Sequence, residues 1–77
     1  MNLKILVDTN VLISAMMYPK SKPSLALYHA AKYHDLVLTD YNVVELRRIA
    51  EIKFARTQSD IDLFLAEFSF ELIFVPY

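Results

Sequence analysis

Two carboxylates stand at positions where α/β proteins do chemistry. Asp8 follows the apolar run Leu3 to Val7 and leads through Thr9-Asn10 into a second apolar stretch, Val11 to Met17. An acid between a strand and the next helix falls at the carboxyl edge of a parallel sheet, where such sheets bind ligands. The same position suits an N-cap, whose oxygen accepts from the first turn of the helix. Both roles are open to Asp8, although one oxygen cannot saturate both. Glu45 lies on a helix expected to start after Thr39. At 100° per residue the polar face of that helix is Arg47, Arg48 and Glu51. Glu45 falls off it, beside Ile49 and Ile52 at i+4 and i+7. A carboxylate there is partly desolvated and wants a cation or a proton. The alternative is a salt bridge to Arg48 at i+3, worth roughly a few tenths of a kcal/mol on a surface.

The elements that must position these acids are legible in outline. Leu3 to Val7 reads as a buried strand, and Asp8-Thr9-Asn10 as the tight turn into a helix that is apolar nearly all round. Such a helix is buried or faces a partner. Tyr18 to Lys22 reads as a loop, and Pro23 suits the first turn of a helix over Leu25 to Tyr33. Leu36 to Leu38 is a second short strand. Thr39 is placed to cap a third helix, with Asp40 in its first turn. Ser59-Asp60-Ile61-Asp62 has capping-box spacing. It opens an amphipathic segment with Ile61, Phe64, Leu65 and Phe68 on one face. Glu71 to Val75 is a third strand, ended by Pro76. Strands alternating with helices predict an α/β fold, a parallel sheet flanked by helices in three layers.

Composition narrows the function classes. The chain has 77 residues, 56% of them hydrophobic. A chain of this size buries only about 60% of its unfolded surface, so some apolar surface is expected to meet a partner, or sequence that is not here. Without Gly there is no phosphate-cradling loop, which excludes P-loop and dinucleotide-fingerprint chemistry. Without Cys there is neither a disulfide framework nor a thiolate metal site. No apolar run reaches membrane-spanning length, and no basic cluster opens a signal peptide, so the expected compartment is the cytosol. The net charge of −1 gives no global pull towards nucleic acid. A local strip of Arg47, Arg48, Lys53 and Arg56 could meet phosphates, but Glu51 interrupts it, and a solvated helix face accounts for it better. His29 and His34, at or just past the end of the second helix, read as helix-end side chains before they read as bases. Asp60 and Asp62 read as caps.

The stretch LKILVDTNVLISA, Leu3 to Ala15, resembles the opening strand and helix of PIN (PilT N-terminus) domains. YHDLVLTDYNVVEL, Tyr33 to Leu46, is similar to their second strand and the helix that bears a second acid. MMYPKSKP and EIKFARTQSD are similar to the branch of the family formed by toxin components of toxin–antitoxin systems. The resemblance covers essentially the whole chain as the N-terminal part, residues 1–77, of a single PIN-like domain with three strands and about four helices. It implies a metal-dependent endoribonuclease in which acids at the carboxyl edge gather around Mg²⁺ or Mn²⁺. Asp8 matches the first acid and Glu45 the second, both as catalytic metal ligands. Thr9 and Asn10 match the supporting polar residues of the turn. The chemistry is coherent, because hard cations prefer oxygen and relieve the repulsion between clustered carboxylates.

The family's remaining acids lie on a fourth strand and a helix near it, which follow the point where this sequence stops. The partners implied are an RNA substrate and a cognate antitoxin. The competing expectation is a truncated PIN half that binds a partner chain and cleaves nothing. In either case the outer edge of the first strand is expected to be free and to support self-association.

Overall fold

A computed structural model gives the fold and describes residues 3–75. The elements run β1 (Lys4–Leu6), α1 (Thr9–Met17), α2 (Lys22–Tyr33), β2 (Asp35–Thr39), α3 (Asp40–Phe54), α4 (Gln58–Leu65) and β3 (Phe70–Ile73). The three strands form one open sheet in the order β1-β2-β3, and both pairings are parallel. Parallel neighbours need a crossover, and each is made here by two helices. The architecture is α/β, the truncated form of the three-layer plan expected from the alternation of strands and helices.

Register and alternation decide what the sheet buries. Ile5 pairs with Leu36, Leu36 with Phe70, and Leu38 with Leu72, so these side chains share one face. Leu36 and Leu38 are buried there in a single cluster with Leu12, Leu27, Leu46 and Ile61, which brings all four helices onto one core. The opposite face carries Lys4 and Leu6 from β1, Val37 from β2, and Glu71 and Ile73 from β3. Lys4 and Glu71 form an ion pair at 3.3 Å that spans β2 from one edge strand to the other. The molecule is a slab, 38 × 35 × 18 Å.

Each helix begins at a side chain that satisfies its free N–H groups. Asp8, Ser21, Thr39 and Thr57 are the four N-caps, and Pro23 sits in the first turn of α2. The last cap corrects an expectation. The capping box of α4 is Thr57 with Asp60, not Ser59 with Asp62: the Asp60 N–H donates to Thr57 Oγ1 at 3.1 Å, and the Thr57 N–H donates to Asp60 Oδ2 at 3.3 Å. Starting the helix earlier frees Asp62 to pair with Arg47 on α3 at 2.7 Å. The helix also stops at Leu65, short of Phe68. Phe68 still packs, edge to face, against Tyr28, Phe64 and Phe70. β3 starts at Phe70, which pairs with Leu36, and ends at Ile73, opposite Thr39 at the end of β2, rather than running from Glu71 to Val75; the expected stop at Pro76 lies outside the described residues.

With no Gly in the chain, the sharp exit from α3 falls to Ala55, whose φ of 52° is left-handed. A Cβ there costs roughly 1–2 kcal/mol. Across the molecule, the Tyr28 hydroxyl of α2 donates to the Glu67 carboxylate after α4. Burial, followed by this bond to a carboxylate, pushes the Tyr28 phenol up to about 12 from its ordinary value of 10.0. The folded state therefore favours the neutral phenol. The stabilisation is complete below pH 10 and is lost as pH rises from there through about 12. A tyrosinate absorbance titration should contain a component near 12 that disappears in Tyr28→Phe. An unchanged curve for that variant would show that the clasp does not hold the proton.

Candidate metal centre

Two strand-to-helix turns lie side by side at the carboxyl edge, because β1 and β2 are parallel neighbours. The pairing runs past the last residue of β1: the Val7 N–H donates to the Val37 carbonyl at 3.1 Å, leaving Asp8 as the first residue free of the sheet. Asp8 is exposed and caps α1, accepting from the Asn10 N–H at 2.7 Å through Oδ1. Oδ2 accepts no hydrogen bond among the described residues. Capping therefore occupies one oxygen and leaves the other for a ligand.

The second turn is tied by Asn42. Its Oδ1 accepts from the Thr39 N–H at 3.0 Å and from the Thr39 hydroxyl at 2.9 Å. The Asn42 N–H donates to Thr39 Oγ1 at 3.0 Å, which closes a capping box. The remaining group of the side chain, Nδ2–H, donates to Thr9 Oγ1 at 2.9 Å. One amide thus closes the start of α3 and joins it to the start of α1. Asn42 was not singled out from the sequence. The signal was present in the Thr39-x-x-Asn42 spacing, although Asn is a shorter third-position partner than the usual Glu or Gln.

Glu45 follows one turn later on α3. Its side chain is only 24% exposed, as expected for a carboxylate off the polar face, and Oε1 accepts from Arg48 at 3.0 Å. Both readings of this residue meet in one geometry: the i+3 ion pair forms, and the carboxylate still lines the cleft. Asp8, Thr9, Asn10 and Glu45 all border that cleft of about 490 Å³ together with Asn42 and Tyr41. Ile49 closes it behind Glu45, whereas Ile52, expected in the same apolar arc, is 73% exposed. Oxygen donors predominate in the polar lining, so the site suits a hard divalent cation better than a soft one. Among the described residues no three His, Cys, Asp or Glu side chains gather into one metal-binding group. The chain offers two carboxylates.

The other singled-out residues lie away from the cleft or have other work. Arg47 pairs with Asp62 and donates to Gln58 at 3.0 Å, fastening α3 to α4. Arg56 donates to Met17 Sδ at 3.4 Å. With Arg48 on Glu45, three of the four cations in the strip are engaged within the fold. His34 caps the end of α2 and accepts the Leu3 N–H on Nδ1 at 3.1 Å, which fixes the start of β1 at the far end of the sheet. His29 packs against Tyr33, ring centroids 4.8 Å apart. No helix among the described residues is long and apolar enough to cross a membrane.

Compared with family models, curated proteins and solved structures, the chain finds no match.

The four hydrogen bonds of Asn42 make it the hinge-pin of the cleft. Asn42→Ala should lower stability by about 1–3 kcal/mol, the loss of a cap and of a half-buried network. Asn42→Asp keeps the acceptor for Thr39 and loses only the donor to Thr9, so it should cost about 1 kcal/mol. Urea unfolding of the two variants checks the order, and equal losses would mean that the Thr9 bond contributes the whole effect.

Proposed function

We propose that this chain carries part of a metal-dependent endoribonuclease site of the PIN toxin type, with Asp8 and Glu45 as ligands of Mg²⁺ or Mn²⁺. One observation carries the reading: the two acids, from different helices, line a single cleft at the carboxyl edge of a parallel sheet. Packing alone demands neither carboxylate there. The family resemblance assigns further acids to sequence outside these 77 residues. When bound, the cation supplies Lewis-acid stabilisation of charge on a phosphodiester.

The residues of this chain have separate tasks. Asp8 offers Oδ2 while the Asn10 N–H holds Oδ1 in place. Thr9, tied to Asn42, fixes the turn that carries Asp8. Arg48 holds Oε1 of Glu45 and draws on the same negative charge that a cation would use. The guanidinium is thus a competitor for the site.

Titration calorimetry with Mn²⁺ tests the reading. Two carboxylates should bind weakly, and Asp8→Asn and Glu45→Gln should each remove the heat. Arg48→Ala should tighten binding by up to about fivefold, because an exposed ion pair worth up to about 1 kcal/mol no longer competes. Binding that survives both acid substitutions would place the metal elsewhere and overturn the assignment.

A non-catalytic interaction module is the second reading, favoured by exposed apolar side chains. Leu6 on β1 is 67% exposed and Phe74, just past β3, is 73% exposed. Because β1 is an edge strand, its outer N–H and C=O groups are free to pair with a second copy. A two-fold axis perpendicular to the sheet would pair the strands antiparallel and hold the two Asp8 residues apart. Sedimentation of the pure chain should then show a dimer or larger species, whereas a monomer across the micromolar range would refute pairing through this edge.

A further inference from the structure

The rim of the cleft holds an exposed aromatic ring that pairs with no other ring among the described residues. Tyr41 is the second residue of α3, 59% exposed, and borders the same cleft as Asp8 and Glu45. It lies four residues before Glu45, so the two side chains occupy one stripe of the helix. Among the described residues the aromatic contacts involve Tyr28, His29, Tyr33, Phe64, Phe68 and Phe70; Tyr41 is in none of them. An exposed tyrosine alone is ordinary. Here it stands at the mouth of a site whose polar lining is carboxylate, hydroxyl and amide.

We infer that Tyr41 is the base-stacking platform of this site and that its ligand is single-stranded RNA. This rests on the ribonuclease reading and adds the part of the substrate that two acids cannot recognise. Carboxylates repel a phosphodiester unless a cation lies between them, so Asp8 and Glu45 contribute nothing to affinity by themselves. A ring at the rim supplies attraction that is independent of charge, since every base has a face to stack. The side-chain amide of Asn10, exposed on the opposite lip and without a hydrogen-bond partner among the described residues, can meet a base edge. In a duplex the bases are stacked on one another and present no free face, so the ring selects unpaired strands.

The experiment measures anisotropy of a labelled oligouridine about ten nucleotides long, once with Mg²⁺ and once with chelator. Tyr41→Ala should weaken binding about tenfold or more, in line with roughly 1–3 kcal/mol per stacked base. Tyr41→Phe should stay within about twofold, because stacking needs the ring and not the hydroxyl. A duplex of matched length should be insensitive to either change. Equal affinities of wild type and Tyr41→Ala, or no binding by the wild type, would overturn the inference, as would Phe behaving like Ala. Mn²⁺ calorimetry on Tyr41→Ala separates the two claims. Retained metal binding with lost RNA binding supports both. Metal binding intact and RNA binding unaffected by Tyr41→Ala sinks the stacking role alone. Tyr41-dependent RNA binding without any metal binding in the wild type sinks the metal assignment and leaves this one standing.

Discussion

Among the described residues, Asn42 to Thr9 is the one side-chain bond that joins the two helix starts of the site. Everything placed at the carboxyl edge depends on α1 and α3 keeping a fixed relation there. The sheet brings β1 and β2 together, but it releases the chain at Asp8 and Thr39, and from those points only side chains can set the helix starts. The Asn42 amide uses its acceptor on the Thr39 turn and its donor on the Thr9 turn. Neither half does the work of the other, since a cap without the donor closes α3 and loses the side-chain bond to the start of α1, leaving only the shared core to relate the two helices. The placement of Asp8 relative to Glu45 is therefore a consequence of one planar group with a donor at one end and an acceptor at the other.

A chain without Gly has to find its turns elsewhere. All four helices start from Asp, Ser or Thr, so the N-terminal ends lose nothing by the absence. Helix exits are harder. Three avoid the left-handed region, and the fourth forces Ala55 into it. The exit of α3 is where strain collects, and the clasps around it are side-chain contacts: Arg47 to Asp62 and Gln58, and Arg56 to Met17. Cations that a sequence reading could assign to phosphate are spent on holding a strained corner closed.

The strands in outline, the caps Asp8 and Thr39 and the border position of Glu45 were legible because they rest on local patterns: apolar runs, small oxygen-bearing residues before helices, and a 100° projection. The start of α4 was misread, since Thr57-x-x-Asp60 and Ser59-x-x-Asp62 fit the same spacing and only tertiary context separates them. Asp62 has a cation waiting on α3, so the earlier box leaves both Asp60 and Asp62 with partners. Asn42 went unremarked for a related reason. Its value lies in Thr9, more than thirty positions away, and no local pattern reports a partner at that distance. Tyr41 was equally silent, because exposure and the identity of a neighbouring cleft are properties of the folded chain.

The strand order has a consequence for how the chain reaches this state. β1 and β3 never touch as strands; each is held by β2, and the partners in both ladders lie some thirty positions apart in the sequence. No hairpin exists to nucleate the sheet. Helices can form within about a microsecond from local contacts, whereas β2 gains nothing from being extended until a distant segment has arrived. Closing such a loop costs entropy before the first ladder bond repays it. The rate-limiting event is then the capture of β1 or β3 by β2 across preformed helices. Of the two, β1 has the advantage, because the bond from Leu3 to His34 and the return bond from Asp35 to Leu3 fasten the residue before it to the end of α2. The sheet would assemble from that corner outward, with the carboxylate cleft among the last parts to close.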